Sequence, residues 1–169
     1  MNRKYTREHY LNLVRKIKER IPDVGLTTDI IVGFPNETDQ DFEDTMSLIE
    51  EVGYQQIFGF IYSKRKGTVA EKLDGQVPVA IKKQRLTRLI EKEREIASTL
   101  SAEQIGKEVE VLVEDVVKNS LVGSTDQNKN IYLDIPAGCA NPKGFIGKFV
   151  KAKVVRCKLT VLYGEIVNV

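Results

Sequence analysis

Residues able to do chemistry gather in three places along the chain. The first is TTDIIVGFPNETDQDF, residues 27–42, where an apolar run containing Asp29 ends at Gly33 and gives way to Glu37, Asp39 and Asp41. A helix start by itself favours an anion, but these carboxylates repel phosphate and suit a ligand carrying positive charge. Gly33 lets a ligand approach the backbone, and Pro35 stiffens the exit from the run. Asp39, Asp41, Glu43 and Asp44 are accounted for as partners of the helix macrodipole, at about 0.3–1 kcal/mol each. Glu37 lies in the loop itself, and both readings stay open for it. The second place is the end of QIFGFIY, where Tyr62 and Ser63 lead into Lys64, Arg65 and Lys66. The third is a basic stretch: no acid occurs between Ile135 and Gly164, while Lys143, Lys148, Lys151, Lys153, Arg156 and Lys158 accumulate. Such a stretch is a candidate anion-facing surface.

Other chemistries find no support. Cys139 and Cys157 are too far apart in sequence for a metal-ligand motif and read as free thiols. His9, the single histidine, falls on a polar helix without a partner, and no Ser-His-Asp or Cys-His arrangement is visible. No apolar run is long enough to cross a membrane, and the first residues lack the apolar stretch of a secretory signal. We read the chain as cytoplasmic, with no membrane partner.

The elements that must position these groups change character halfway. Thr6 caps a helix with Tyr10, Val14, Ile17 and Ile21 at helical spacing; residues 26–34 read as a buried parallel strand covered by helices. Thr38 caps a second helix with Phe42, Met46 and Ile49 inward, Gly53 ends it, and residues 56–62 form a second strand. After Pro78 a long helix shows a stripe of Ile81, Leu86, Leu89, Ile90, Ile96, Ala97 and Leu100, with Lys82, Lys83, Arg85 and Arg88 elsewhere around it. Only two strands are present in this half, so its sheet reads as unfinished, with bare edges and faces. Beyond Gly106, five short alternating segments punctuated by Gly and Asn predict a small closed β-barrel. The expected fold class is α/β plus all-β, with domains at residues 1–101 and 102–169.

Four stretches carry a family resemblance: IPDVGLTTDIIVGFPNETDQDF, FIYSKRKGTVAEKL, GKEVEVLVED and FIGKFVKAKVV followed by LYGEIV. In that order they resemble the C-terminal part of the radical-SAM methylthiotransferases, which place a methylthio group on a modified adenosine beside the tRNA anticodon. The resemblance implies that residues 1–101 are the last βα units of a radical-SAM partial TIM barrel and 102–169 a five-stranded antiparallel TRAM barrel that holds RNA. It implies S-adenosylmethionine at Asp29, Ile31, Gly33, Phe34, Glu37, Tyr62 and Ser63; for Tyr62, aromatic core packing is the competing role. That cofactor is net cationic, in keeping with the charge of the loop. It further implies 4Fe-4S clusters in the parent enzyme. The cluster ligands are not in this chain: Cys139 and Cys157 cannot supply the closely spaced trio required. Met1 falls where the family has an internal methionine, so the chain reads as a fragment without catalysis of its own.

Three departures from the family pattern bear on the site. Asn36 stands for the usual glycine of GFPGET and tolerates left-handed geometry, whereas Lys64, Lys66 and Val69 stand for prolines and make their loop more flexible and basic. For RNA the candidates are Arg65, Lys129, Lys148, Lys151, Lys153, Arg156 and Lys158, with Tyr132, Phe149 and Tyr163 as stacking partners; alternation puts Phe149, Lys151 and Lys153 on one face. A solvated lysine face over core aromatics is the competing reading. FIYSKRKGT leans toward the family branch that acts on isopentenylated adenosine over the threonylcarbamoylated branch. The rival class is a non-enzymatic RNA-binding module on an α/β scaffold, and the bare strand edge is a candidate homodimer contact.

Overall fold

A computed structural model describes residues 3–168. They form two compact units, Met1–Ile96 and Ala97–Val169.

In the first unit the capping residues act as their types dictate. Thr6 accepts from the His9 N–H and opens α1 (Arg7–Arg20). Thr38 and Asp41 satisfy each other's backbone N–H groups in a capping box at the start of α2 (Asp39–Val52), and Gly53, left-handed at φ 64°, closes it. Between and after these helices run β1 (Thr27–Val32) and β2 (Gln56–Ile61), paired in parallel with Ile31 opposite Phe60 and Asp29 opposite Phe58. One face of this two-stranded sheet is packed: Val32 and Ile57 join Leu11, Val14, Phe42, Met46, Ile49, Val52, Tyr54 and Leu89 in a single core. The other face is bare. Ile31, Phe58 and Phe60 keep 37%, 46% and 51% of their surface exposed. The expectation of a strand covered by helices is therefore corrected, since helices cover one side only; the exposed apolar face expected of an unfinished sheet is present.

Helix α3 (Val79–Ala102) carries the chain from the first unit into the second. Its inward stripe is turned from the one expected. Ile81 and Ile90 are exposed, while Lys82 and Arg85 are buried beside Leu89. Gly59 of β2 permits this approach, because a Cβ there would lie 3.0 Å from methyl groups of both Leu86 and Leu89.

The second unit is a closed five-stranded barrel in the order β3 (Glu108–Val117), β4 (Ser120–Thr125), β5 (Asn130–Asp134), β7 (Val161–Asn168), β6 (Phe149–Lys158). Alternate residues point inward, and Val111, Val113, Leu121, Ile131, Leu133, Ala152, Val154 and Leu162 lose all contact with solvent. The barrel is not wholly antiparallel as expected: β5 and β7 pair in parallel, Tyr132 opposite Tyr163. The reason is geometric, because strand directions cannot alternate all the way round a ring with an odd number of members. Irregular pairing between Val154 and Arg156 shifts the later part of β6 by one residue.

Candidate functional site

At the carboxyl ends of β1 and β2 the bare face leads into an open depression of about 500 Å³, lined by Asp29, Ile31, Phe34, Phe60, Tyr62, Ser63 and Arg65 among others. This is where ligands settle on parallel strands, and the volume falls within the range of small-molecule sites. Of the seven residues expected at a cofactor, Asp29, Ile31, Phe34, Tyr62 and Ser63 line the depression. Arg65, expected at RNA, lines it as well.

Gly33 and Glu37 do not line it; they act behind the wall. Gly33 is left-handed at φ 73°, and a Cβ on it would fall 2.3 Å from Cγ of Lys82, so the stem of that lysine occupies the space that glycine leaves. Glu37 folds back on its own loop. Its Oε1 accepts from the Gly33 N–H at 2.9 Å and from Arg85 Nη1 at 2.6 Å, and its Oε2 accepts from the Phe34 N–H at 3.4 Å. Arg85 also reaches the Glu37 carbonyl at 3.2 Å and Asp39 at 2.7 Å, with 6% of its side chain exposed. Burial alone would lower the Arg85 pKa; hydrogen bonds to Asp39 and Glu37 outweigh it and hold the guanidinium above its ordinary value. Glu37 is thus neutralised by a buried partner and braces its own loop. Asn36 takes the left-handed φ of 65° expected of it and donates its N–H to the Gly75 carbonyl.

Across the depression, Tyr62 stands edge-on to Phe34, with ring centroids 5.1 Å apart. Lys82 lies over the Tyr62 ring at 5.0 Å and donates to the Tyr62 carbonyl at 3.2 Å. Among the described residues the buried Tyr62 hydroxyl has no hydrogen-bond partner, an expensive arrangement in a closed protein. Asp29 forms none of the ion pairs present among the described residues. Lys82 and Arg85 escaped the sequence reading because charge placed them outside the apolar stripe. Their spacing to Leu89, seven and four residues, was the signal that puts them on the packed face.

On the barrel, Phe149, Lys151 and Lys153 do project from one outer face of β6. They are not alone there. Lys153 sits between Glu108 on β3 and Glu165 on β7, and Lys151 lies opposite Glu110, so neighbouring strands offset a stripe that looks acid-free in sequence. Lys148 and Lys158 are exposed. Arg156 lays its guanidinium 3.5 Å from the Tyr163 ring centre, and Tyr163 stacks on Tyr132 at 5.7 Å. Of the three aromatics expected to stack bases, Tyr132 and Tyr163 therefore cover each other, and Phe149 keeps 66% of its surface free. Lys129 is corrected. It is 5% exposed, its ammonium donates to the buried Ser101 hydroxyl at 3.3 Å, and burial pulls its pKa down, so it cannot meet a phosphate at the surface. The two cysteines are free and half-buried, and no group of three metal-ligating side chains occurs among the described residues. These residues do not fit an iron–sulfur cluster. Among them no helix is long and apolar enough to cross a membrane.

Comparison with known proteins agrees with both halves of this description. Residues 1–49 match the Radical SAM superfamily model and residues 102–167 the TRAM domain model. Over 99% of its length the chain is 44% identical to the tRNA-2-methylthio-N(6)-dimethylallyladenosine synthase of Alkaliphilus oremlandii. It is 48% and 51% identical to proteins of the same name from Geobacillus thermodenitrificans and Bacillus mycoides. It spans about a third of each, 35%, 32% and 32%, at their C-terminal part. The resemblance drawn from the motifs thus holds along the whole chain.

Proposed function

We propose that this chain works as the C-terminal part of a radical-SAM methylthiotransferase acting on isopentenylated adenosine beside the tRNA anticodon, in the cytoplasm. In this reading β1 and β2 are the last strands of a partial TIM barrel, and their bare face is its lumen. The observation that carries the reading is the depression at the strand ends, which opens on unsealed apolar surface and holds a carboxylate outside every ion pair of the described residues.

The donor set supports S-adenosylmethionine as the guest. Phe34, Phe60 and Tyr62 offer apolar walls to a nucleoside, the buried Tyr62 hydroxyl has no partner among the described residues, and Asp29 suits a sulfonium or ammonium. In the whole enzyme one S-adenosylmethionine would supply the radical and a second the methyl group. The chain's own residues orient the cofactor: Phe34 and Tyr62 set the width of the slot, and Ile31 and Phe60 exclude water from its floor. With two cysteines far apart in sequence, the chain contributes no ligand set for an iron–sulfur cluster.

The barrel grips RNA through Phe149 as the free stacking face, with Lys148, Lys151 and Lys153 toward phosphates and Arg65 on the first unit as a further RNA contact. The test is binding of this chain to an anticodon stem-loop, followed by fluorescence anisotropy across a salt series. Affinity falling with salt is expected, and Phe149→Ala should weaken it by about 1–3 kcal/mol, the scale of one stacked base. Salt-independent or absent binding would overturn the RNA assignment. RNA binding by a chain that takes up no S-adenosylmethionine, even joined to an upstream radical-SAM half, would favour the non-enzymatic module. Preference for a threonylcarbamoylated stem-loop would favour the other branch of the family. The unpaired edge of the two-stranded sheet also offers a homodimer contact, which light scattering tests directly.

A further inference from the structure

Two cations of α3, Lys82 and Arg85, reach the two walls of the depression from behind. Arg85 holds Glu37 from one side, and Glu37 holds the N–H groups of Gly33 and Phe34 from the other. Lys82 fills the space beneath Gly33 and holds the carbonyl and ring of Tyr62. Neither cation is among the residues lining the depression. A single turn of one helix therefore sets the position of Phe34, at the end of β1, relative to Tyr62, at the end of β2. The same contacts occupy Glu37, the carboxylate that charge and position in the sequence single out for a cationic ligand. Both its oxygens accept hydrogen bonds, and a guanidinium with 6% of its side chain exposed neutralises it. On the open side, the carboxylate that lines the depression and joins no ion pair among the described residues is that of Asp29.

We infer that Arg85, Lys82 and Glu37 are positioning residues that fix the Phe34–Tyr62 slot, and that Asp29 is the group that recognises the positive charge of the bound nucleoside. This rests on the nucleoside reading above and deepens it, because it separates the clamp from the charge sensor. The two roles predict different signatures. A charge sensor distinguishes a sulfonium from a thioether; a clamp sets the slot for both alike.

The experiment uses the 169-residue chain with S-adenosylmethionine and its neutral thioether counterpart, S-adenosylhomocysteine, titrated calorimetrically. Amide hydrogen exchange at Gly33 and Phe34 is followed by NMR in parallel. The wild-type chain should prefer the sulfonium by up to about fivefold, the range of an exposed ion pair. Asp29→Asn should bring that preference close to unity and leave exchange unchanged. Glu37→Gln and Arg85→Lys should keep the preference, weaken both ligands together, and speed exchange at Gly33 and Phe34 by about tenfold, as expected when a charge-assisted hydrogen bond is lost. Arg85→Lys keeps the charge but not the fork, so it serves where Arg85→Ala fails to fold. Loss of the sulfonium preference in Glu37→Gln with its retention in Asp29→Asn would overturn the assignment. Unchanged exchange in both clamp variants would overturn the clamp. If neither ligand binds the wild-type chain, alone or joined to an upstream radical-SAM half, the nucleoside reading and the role of Asp29 fail together, and the exchange result still decides the clamp.

Discussion

The two units solve the same problem with different success. In the barrel, five strands close on themselves; every strand has two neighbours, and nine inward residues form a core no more than 5% exposed. In the first unit, two strands carry apolar residues on both faces but have helices for one face only, so Ile31, Phe58 and Phe60 remain in solvent. An alternating pattern needs one covered face and gets it from ring closure, whereas a doubly apolar pattern needs two. Where the barrel core is held by apolar burial, the rim of the depression is held by buried cations on carboxylates and carbonyls. The difference teaches that the first unit is organised to present a surface, and the barrel to be a body that carries one.

The contrast is broken or sharpened by mutation. Removing apolar volume should cost most in the barrel: Leu133→Ala is expected to lose about 3 kcal/mol, read from the denaturant midpoint, because no neighbour is free to collapse into the gap. Arg85→Met should destabilise the first unit by about 3 kcal/mol as well, because it leaves the Glu37 carboxylate largely buried without its partner. Truncation on the bare face, Phe60→Ala, should lie within about 0.5 kcal/mol of wild type, since there is little burial to lose. A loss there comparable to that of Leu133→Ala would mean that the bare face is covered in solution, and light scattering would then identify a second copy as the cover.

Lys129 gives a smaller effect with a definite sign. Its folded pKa lies below the ordinary lysine value because burial disfavours the charge. Between the lowered value and the ordinary one the unfolded chain binds more protons, so this lysine makes the barrel more stable as pH rises through that window. The pH slope of wild type minus that of Lys129→Met isolates the effect, and Lys129→Met itself should be neutral or stabilising by about 1 kcal/mol near neutral pH. A difference slope of zero would place the ammonium in water. The smallest effect concerns the lysine face: Lys151→Gln and Lys153→Gln should each reduce the salt slope of RNA binding by about 1, or by less if the facing glutamates already offset them.

Much of this was legible beforehand, for identifiable reasons. Thr6, Thr38 and Gly53 mark helix ends because their side chains, or the lack of one, act on backbone groups within a few residues. The outward set Phe149, Lys151 and Lys153 follows from the two-residue period of a strand. The depression-lining residues Asp29, Ile31 and Phe34 come from one contiguous motif. What escaped was whatever depends on a partner far along the chain. Arg85 meets Glu37 across 48 residues, Lys129 meets Ser101 across 28, and Glu108 and Glu110 come beside Lys153 and Lys151 only through strand register.

By itself, then, the amino-acid order determined the local geometry: which residues cap, which alternate, which stretches are apolar on one side or both, and that the chain holds too few cysteines for a cluster. Only the tertiary structure decided which charges are neutralised, which lysine is buried, which aromatic is free and which strand pair of the barrel runs parallel. The physical reason is range. Caps and periodicity act over a few residues of backbone, while the fate of a charge or a ring depends on what packing and register bring to within a few ångströms of it.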